Sequence, residues 1–551
     1  MKLREPSVTD KYEKQLAGRD LVDEILTCAK IKEQGMGIVW EPIPNTSQEL
    51  ALDTRCHHTL YHGARGPGKT ITQLMRFRAR VGKGYGAFWR GVIFDREFKN
   101  LADLVAQSKR FFLQFDDGAK FLSSASEYKW VWPTGEELLF RHAKKPAEYD
   151  NFHGHEYPFL GWNELTKYPT SELYDKMMST NRSSFDPVRD TPKAMGHNGG
   201  PTLDDEGAQL YDTIDGLPLP KIPLEVFSTC NPNGPGHTWV KMRFISPAKN
   251  GQVVRTEVPV FNPQTQQDDV VVKTQVAIFG SYRENIYLPP EYVAELELIT
   301  DPNLRAAWLY GSWDVNAGGA FDDLWDSKVH VLPRFKIPKE WRVDRAFDWG
   351  SSRPFSVGWF AEANGEDVLL PTGETFCPCR GSLIQVYEWY GSKELGTNLG
   401  TKLSAPDIAD GIKEIEINMM AAGYIPSKPY PGPADNQIAG VTQSDEDTIE
   451  IKMSDRGIYW TKSNKAKGSR KNGFELLRNR LEAATKGEGA AIYFMTNCLA
   501  SITLIPTLPR DEKDLDDVDT DAEDHCYDMV RYRVLAGNNR LATDISVQFA
   551  R

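Results

Sequence analysis

Short apolar runs alternate with amphipathic stretches between about Gly35 and Asp314. The runs Thr59–Tyr61, Val92–Phe94, Glu137–Arg141, Pro158–Trp162 and Leu224–Thr229 have the length and residue types of strands. Strands that alternate with helical patterns are typical of a mostly parallel α/β sheet. Residues 185–223 are rich in Gly, Pro and Asp, which indicates a long surface insertion before the last of these strands.

A different order of patterns begins near Phe321. The runs Arg342–Asp348, Phe355–Ala361 and Leu383–Tyr390 follow one another closely, which predicts an antiparallel meander. Ser404 then caps a helix in which Ile408, Ile412, Ile415 and Met419 recur at helical spacing. A short run at Tyr430–Asp435 and helices at Phe474–Ala484 and Asp524–Leu535 complete the pattern. Antiparallel strands followed by alternating helices and strands predict an RNase H-like fold.

These patterns divide the chain into a polar N-terminal segment, residues 1–34, a first domain at 35–316 and a second at 321–551. A length of 551 residues also favours two to four domains. The net charge of −12 argues against a protein that coats DNA non-specifically, but it does not exclude local contact with DNA. No apolar stretch reaches 18 residues and the N-terminus lacks an apolar core. We therefore expect no membrane span, no signal peptide and a cytoplasmic location.

The seven cysteines are scattered along the chain, and Cys377 and Cys379 are the closest pair. No Cys/His set has the spacing of a zinc finger. We therefore interpret the cysteines as reduced structural thiols.

The most specific motif is Gly63-Ala-Arg-Gly-Pro-Gly-Lys-Thr70, which fits G-x-x-x-x-G-K-[ST]. Gly63, Gly66 and Gly68 let backbone N–H groups turn toward phosphate oxygens. The amphipathic helix predicted at Ile71–Arg80 directs its positive end at the same anion. Lys69 reaches the β- and γ-phosphates, while the Thr70 hydroxyl binds Mg²⁺. The pattern predicts an ATP site of the ASCE or RecA-like P-loop type.

Other polar residues fit the same site less specifically. Gln48, upstream of the loop, either reads the adenine edge or is a plain surface glutamine. The apolar run Phe159-Leu-Gly-Trp ends in Asn163 and Glu164. Glu164 is the candidate that polarises the attacking water. Asn163 stands where an aspartate is usual, so it can hold a metal-bound water but adds no charge.

A polar Thr229-Cys-Asn231 follows the next strand. Thr229 and Asn231 are candidates for sensing the γ-phosphate, although Asn-Pro-Asn-Gly is also ordinary turn chemistry.

In order along the chain, these motifs resemble the large terminase family of tailed bacteriophages. The phosphate loop with Arg65 resembles the family's G-G-R-G-S-G-K-[ST], and Thr229-Cys-Asn-Pro232 resembles its coupling motif. Gly311-Ser-Trp-Asp314 with Gly319-Ala-Phe321 resembles its interdomain linker. Gln48 matches its adenine-side glutamine, and Arg96 lies where the family often has an arginine. The resemblance spans about Gln48 to Tyr532. It implies that an arginine stabilises phosphoryl transfer; Arg65 is our first candidate, with a plain phosphate-loop charge as the alternative.

Two-metal nucleases need several carboxylates from distant parts of the chain, and Mg²⁺ or Mn²⁺ prefers such oxygen ligands. Asp348 ends an apolar run, and Asp435 ends the run at Tyr430–Asp435. Asp524-His-Cys-Tyr-Asp528 begins the last helix and resembles the family's D-H-x-x-D-A-x-R-Y. We favour Asp524 over Asp528 as the third ligand. His525 is interpreted as structural, and no role is assigned to Glu388. The basic stretch 462–471 either contacts DNA or is a solvated loop.

The resemblance implies a motor that uses ATP to move double-stranded DNA into a procapsid and a metal-dependent endonuclease that cuts concatemers. It also implies a small terminase subunit and a portal protein as partners, a pentamer on the portal, and a place on the procapsid in the host cytoplasm. Two alternatives remain: a helicase or repair ATPase fused to a nuclease, and an ATP-binding scaffold with a degenerate site.

Overall fold

The structure is a computed structural model that describes residues 39–124, 126–213, 216–263, 265–313, 319–440, 447–511 and 513–548. The predicted N-terminal segment 1–34 and Asp314 of the predicted linker lie outside the described residues. The chain divides into two compact units. The first unit consists of Met1–Gly236 and Val240–Asp314, and the second consists of His237–Trp239 and Val315–Arg551.

The first unit alternates strands and helices along most of its length. In chain order its elements are α1 (Ser47–Asp53), β1 (His58–Gly63), α2 (Lys69–Arg78), β2 (Arg90–Asp95), α3 (Phe98–Phe112), β3 (Lys120–Leu122), β4 (Lys129–Val131), β5 (Glu137–His142), β6 (Phe159–Trp162), α4 (Glu172–Met177), α5 (Pro187–Asp190), β7 (Glu225–Cys230), α6 (His237–Val240), which crosses into the second unit, β8 (Val254–Asn262), β9 (Gln267–Gly280), α7 (Pro290–Glu297) and α8 (Pro302–Leu309).

A mostly parallel sheet forms the centre of the first unit. Within the described residues its nine strands run in the order β3-β4-β5-β2-β6-β7-β1-β9-β8. Within this order, the six neighbouring strands β5, β2, β6, β7, β1 and β9 pair in parallel. The strands β3, β4 and β8 are antiparallel additions at the two edges. β7 lies between β1, which leads into the phosphate loop, and β6, which leads into Glu164. This topology agrees with the predicted P-loop fold.

In the second unit the elements are α9 (Ser327–His330), β10 (Val331–Leu332), β11 (Arg342–Asp348), β12 (Ser356–Glu362), β13 (Val368–Leu369), β14 (Thr375–Phe376), β15 (Leu383–Tyr390), α10 (Ala405–Ala421), β16 (Pro433–Ala434), α11 (Ile449–Asp455), β17 (Thr461–Lys462), α12 (Ser469–Lys486), β18 (Ile492–Met495), α13 (Leu499–Leu504) and α14 (His525–Gln548). Across the described positions, seven of the strands form one sheet in the order β10-β18-β15-β12-β11-β16-β17. β11, β12 and β15 are antiparallel, and β16 joins β11 in parallel. This is the predicted RNase H-like order.

Both faces of the second sheet are covered by helices. Val357, Trp359 and Ala361 of β12 pack in one core with α10 and α11, while Phe360 packs in another with α12, α13 and α14. Alternate residues of a strand point to opposite faces, so an almost wholly apolar strand indicates burial on both sides. Ser404 caps α10 through the amide of Asp407, and Ile408, Ile412 and Met419 are buried, as the sequence pattern predicts.

Several predicted boundaries were wrong. α2 begins at Lys69 instead of Ile71, and it is buried on most of its surface instead of amphipathic. Its polar residues bind inward: Gln73 donates to the carbonyls of Trp162 and Phe227 on the sheet side, and Arg76 donates to carbonyls of α1. Helix α2 lies between the sheet and α1, so its polar residues are buried, although the hydrophobic pattern of the sequence predicts that they face solvent.

The predicted strand at Tyr430–Asp435 shrinks to β16 and a single bridge between Tyr430 and Asp344. Pro431 and Pro433 have no N–H to donate to a ladder, which explains the short pairing. α12 and α14 extend beyond the predicted Phe474–Ala484 and Asp524–Leu535. The insertion predicted at 185–223 contains α5 and isolated antiparallel bridges such as Lys193 with Tyr211, and most of its described residues are exposed.

Candidate functional site

The phosphate loop leaves the carboxyl end of β1 and continues directly into α2. Gly63 has a φ of +122°, and a Cβ there would lie 2.3 Å from the carbonyl oxygen of Gly280. Gly68 has a φ of +91°, and a Cβ there would lie 2.4 Å from Nε2 of Gln48. Both positions therefore require glycine. The loop is closed further by Gly311, where a Cβ would lie 2.8 Å from the amide nitrogen of Ala64.

Lys69 is buried at the start of α2. Its Nζ lies 2.5 Å from the carbonyl oxygen of Ala64 and 2.9 Å from Oδ1 of Asn231. Burial lowers the pKa of Lys69, an effect that the nearby Glu164 carboxylate opposes. Thr70 follows in the first helical turn and is half-buried. The ammonium group thus already lies between the loop and β7, where the phosphates of a nucleotide would bind.

Asn231 joins the lysine to the predicted catalytic acid. Its amide nitrogen Nδ2 donates to the Glu164 carboxylate at 3.2 and 3.4 Å, while its backbone N–H lies 3.3 Å from Oε2. Glu164 has a φ of +52°, a left-handed conformation that is rare for residues other than glycine. Such backbone strain concentrates at functional sites. The geometry therefore brings Lys69, Asn231 and Glu164 into one hydrogen-bonded chain.

Asn163 and Thr229 lie at the ends of adjacent strands. The Thr229 hydroxyl lies 3.5 Å from Oδ1 of Asn163 and accepts the N–H of Glu164 at 3.3 Å. Gln48 is buried beside the loop and donates from Nε2 to the carbonyl of Pro67 at 2.7 Å. Gln48 is therefore not a plain surface residue, although its predicted contact with adenine stays a prediction.

The two arginines singled out in the sequence have partners within the protein. The Arg65 guanidinium stacks on the Trp308 ring, 3.3 Å from its centroid, and lies near enough to Lys69 to lower the pKa of that lysine. Arg96 donates to the carbonyl of Lys167 at 3.1 Å, and the N–H of Lys167 donates to the carbonyl of Glu164. The role of Arg65 in phosphoryl transfer stays a prediction.

Sequence reasoning missed Asn285, which donates to the carbonyl of Gly66 at 2.7 Å. It also missed Leu288, whose methyl carbon would lie 2.7 Å from a Cβ at Gly66. Neither residue belongs to a recognisable motif, because each reaches the loop from a segment more than 200 positions away in the chain.

The second candidate site lies at the carboxyl ends of β11 and β16. Phe347 pairs with Ala434, and the amide of Asp435 donates to the carbonyl of Phe347 at 3.0 Å. The following residues, Asp348 and Asp435, are thereby brought to adjacent strand ends. His525 Nδ1 lies 3.1 Å from Oδ2 of Asp348, which fixes the start of α14 against this edge.

Asp524 and Asp528 come from the start of α14, one turn apart. Burial and the Asp528 charge raise the pKa of Asp524 to about 8. Burial, Asp528 and Asp435 raise the pKa of Asp348 to about 6, although its hydrogen bond with His525 opposes the shift. The four predicted carboxylates therefore form one cluster, with Asp528 half-buried and the other three buried, in which negative charges repel one another.

Each carboxylate of this acidic cluster has a cationic or ionisable partner. Asp348 pairs with His525, Asp435 with Lys465, Asp524 with Arg470 and Asp528 with Arg531. Burial alone would lower the pKa of His525, but the hydrogen bond with Asp348 and the charges of the aspartates raise it. The sequence analysis interpreted His525 as structural and placed Lys465 in a basic stretch that either contacts DNA or is a solvated loop. Both residues contact the predicted metal ligands.

The chemistry of the cluster suits a divalent cation, because the donors are carboxylate oxygens whose mutual repulsion such a charge relieves. Among the described residues, however, no group of three or more His, Cys, Asp and Glu side chains is arranged to hold a metal ion. The ligand set therefore stays a prediction. Glu388 lies elsewhere: its carboxylate accepts the amides of Ala500 and Ser501 at the start of α13.

The described cysteines include buried and exposed thiols. Cys56, Cys230, Cys498 and Cys526 are buried thiols, and Cys377 is an exposed one. In the part of the chain that the structure describes, no helix combines the length and apolar character that crossing a bilayer requires.

Comparison with known proteins gave matches among solved structures alone. No family model and no curated protein matches the chain. The large terminase of a thermophilic bacteriophage, solved in complex with ADP, is 14% identical, with 93% of this chain and 98% of that chain covered and a TM-score of 0.32. The HK97 bacteriophage large terminase is 10% identical, with 94% and 99% covered and a TM-score of 0.43. The P22 large terminase nuclease domain is 14% identical, with 40% and 92% covered and a TM-score of 0.27.

Proposed function

We propose that the chain is an ATP-hydrolysing enzyme with a separate metal-dependent nuclease site. The observation that carries this proposal is the hydrogen-bonded chain from Lys69 through Asn231 to Glu164 at the phosphate loop. A buried acidic cluster in the second unit supports the nuclease activity. More narrowly, we propose a large terminase subunit of a tailed bacteriophage, on the order of motifs from Gln48 to Tyr532.

In the ATPase reaction, Lys69 and the N–H groups of the loop bind the β- and γ-phosphates, and Gln48 faces the base. Mg²⁺, when bound, neutralises phosphate charge, and Thr70 and Asn163 are the residues that would hold it. Glu164 orients the attacking water and accepts its proton. Asn231 contacts both Lys69 and Glu164, so loss of the γ-phosphate changes its partners. Thr229 and Asn231 thereby report hydrolysis to β7.

In the nuclease reaction, Asp348, Asp435 and Asp524 would hold Mg²⁺ or Mn²⁺, with Asp528 as the alternative third ligand. The ions, when bound, supply Lewis acidity to the phosphodiester. His525 orients Asp348, and Lys465 and Arg470 offer positive charge beside the same carboxylates. These cations suit a phosphate backbone as a substrate.

The terminase proposal includes double-stranded viral DNA, a small terminase subunit and a portal protein as partners. It also includes a pentamer on the portal and a transient place on the procapsid in the host cytoplasm. A motor of this kind needs both sites, one to move DNA and one to cut it.

The first test measures ATP turnover and plasmid cleavage in parallel on the full chain with Mg²⁺ or Mn²⁺. Asp348→Ala should abolish cleavage and leave ATP turnover intact. Lys69→Ala should lower turnover by about 100-fold or more, because it removes a donor that stabilises transferred charge, and should leave cleavage intact. Asp410→Ala, which removes two exposed ion pairs, one with Lys413 and one with Arg456, is the matched control.

Cleavage that survives Asp348→Ala would refute the nuclease assignment. The terminase assignment is tested by adding procapsids, which should stimulate turnover and protect DNA from added nuclease. Strand unwinding by the wild type would instead identify a helicase, and ATP binding without turnover would identify a scaffold.

A further inference from the structure

Asn163 poses a chemical problem at the proposed ATPase site. A carboxamide has an oxygen that accepts and a nitrogen that donates, whereas a water bound to Mg²⁺ can only donate. The residue is useful there only if its oxygen faces the phosphates. Rotation by half a turn would present the nitrogen instead, so something must fix the orientation of the amide.

Asp95 is placed to fix it. It is the last residue of β2, it is fully buried, and β2 pairs with β6 on the side away from β7. Its Oδ2 accepts Nδ2 of Asn163 at 2.7 Å. Its Oδ1 accepts Nδ2 of Asn100 at 2.9 Å and the N–H of Glu97 at 3.1 Å. Both oxygens of the carboxylate are therefore committed.

An ionised carboxylate can only accept, so it binds the nitrogen end of the Asn163 amide. The oxygen end is left on the opposite side, where the Thr229 hydroxyl lies 3.5 Å away. Thr229 belongs to β7, which lies between β6 and the phosphate-loop strand β1. The amide oxygen is thus directed toward the side of the sheet that carries the phosphate loop.

We propose that Asp95 is a positioning residue that holds the Asn163 oxygen toward the nucleotide's magnesium ion. Asp95 also supplies, from the neighbouring strand β2, the negative charge that an aspartate at position 163 would carry. Lys167 lies 3.2 Å from Asp95 and balances that charge. This inference rests on the proposed ATPase function and deepens it.

The test exchanges the two side chains. Asn163→Asp alone sets two carboxylates at hydrogen-bond distance and should lower ATP turnover by roughly 10- to 100-fold, the usual cost of a disturbed supporting shell. Asp95→Ala frees the amide and should raise the Mg²⁺ concentration needed for half-maximal turnover by a similar factor.

The double variant Asp95→Asn with Asn163→Asp should recover most of the lost turnover. The new amide on β2 can keep the two bonds at its oxygen and donate from its nitrogen to the new carboxylate on β6, while its contact with Lys167 is lost. The second oxygen of that carboxylate then faces the phosphates. A residue that acts only in packing would not show this rescue, since neither Asp95→Asn nor Asn163→Asp alters side-chain volume appreciably.

A second readout needs neither metal nor turnover. With chelator present and no nucleotide, the unfolding temperatures of the wild type, the two single variants Asp95→Asn and Asn163→Asp, and the double variant form a cycle. Asn163→Asp should lower the unfolding temperature, and Asp95→Asn should restore it in that background while lowering it in the wild type. Lys144→Ala, which removes the Glu97 ion pair nearby, is the control and should leave turnover unchanged.

Additive effects in the cycle, or Asn163→Asp as active as the wild type, overturn this inference alone. If the wild type hydrolyses no ATP, or hydrolyses it equally well after Lys69→Ala, the proposed function is overturned. The role assigned to Asp95 then fails with it. Rescue by the exchange together with coupling in the cycle supports the assignment.

Discussion

Glu225 ties the helix of the phosphate loop to the sheet. It is the first residue of β7, and its carboxylate lies 2.7 Å from Nε of Arg76 and 2.9 Å from Nη2 of Arg80, all three side chains being buried. Burial alone would raise the pKa of Glu225, but the two guanidinium groups hold it below its ordinary value. Arg76 also donates to two carbonyls of α1. The Glu225 carboxylate therefore links β7 to α2 through Arg76, and Arg76 links α2 to α1, beside the proposed ATPase site.

Replacement of Glu225 by alanine should destabilise the protein by about 3–5 kcal/mol, because it leaves buried arginines without their counter-charge. Urea unfolding monitored by tryptophan fluorescence measures the change. Asp410→Ala serves as the comparison, since an exposed pair is worth about 1 kcal/mol or less. A loss below about 1 kcal/mol for Glu225→Ala would show that water replaces the carboxylate easily.

Glu388 should make stability fall as pH rises. Burial raises the pKa of Glu388 to about 7 from about 4.5. Between these values the folded chain keeps a proton that the unfolded chain has released, so the free energy of unfolding decreases across this window and stays reduced above it. Glu388→Gln removes the effect. The unfolding temperature of the wild type should therefore drop relative to Glu388→Gln between about pH 5 and pH 8, whereas a constant difference would contradict the shift.

Some of these residues could be found from the sequence and others could not. Lys69, Thr70 and Glu164 occupy fixed places in a local pattern whose chemistry is known. Asp95 does not, because its partner Asn163 lies 68 positions away and only the order of strands in the sheet brings them together. The acids Asp348 and Asp435 were predictable for their place at strand ends, but their partners His525 and Lys465 depend on how α14 and the basic stretch pack.

At the scale of elements, burial decided which patterns could be interpreted. The strands β2, β6 and β12 are buried on both faces and stand out as apolar runs. The hairpin of β8 and β9 was missed. Most of β8 and the first half of β9 are exposed, and Pro259 in β8 is unusual for a strand. A hairpin that is exposed on both faces lacks the alternation of apolar and polar residues by which a strand is recognised in a sequence.

The cap of α10 gives a test at this scale. Ser404→Ala removes the hydroxyl that accepts the Asp407 amide and breaks the reciprocal capping pair. The expected loss is about 1 kcal/mol of unfolding free energy. Ser404→Asp, which preserves an acceptor, should lose much less. Equal losses for the two variants in urea unfolding would show that the cap contributes through packing.

For the whole molecule, the acidic cluster sets stability against activity. Burial and repulsion among Asp348, Asp435, Asp524 and Asp528 cost folding energy in the absence of metal. A cation that binds only the folded state returns stability, about 2.7 kcal/mol at 100 times its dissociation constant. The same charges that the proposed nuclease requires are therefore a burden on the metal-free chain.

At pH values above its pKa of about 8, where Asp524 carries one of the repelling charges, Asp524→Asn should raise the unfolding temperature of the full chain in chelator. It should also reduce the further rise that Mn²⁺ produces in the wild type, together with DNA cleavage. Scanning calorimetry with chelator and with Mn²⁺ measures both effects. If Mn²⁺ stabilised the variant as much as the wild type, Asp524 would not be a ligand, and Asp528 would take its place.

Close packing around Gly63, Gly280 and Gly311 shows that residues outside the phosphate-loop motif are also needed to form the loop. The carbonyl of Gly280 fills the space of a Cβ at Gly63, the ring of Tyr61 lies 2.8 Å from a Cβ at Gly280, and Gly311 lies against Ala64. At Gly63 and Gly311 backbone atoms make these contacts, which no side-chain rotation can relieve, whereas at Gly280 the side chains of Tyr61 and Pro67 make them. The predicted nucleotide-binding motif of this chain therefore extends beyond its eight contiguous residues. It includes two distant glycines, at positions 280 and 311, which can be identified only from the folded structure.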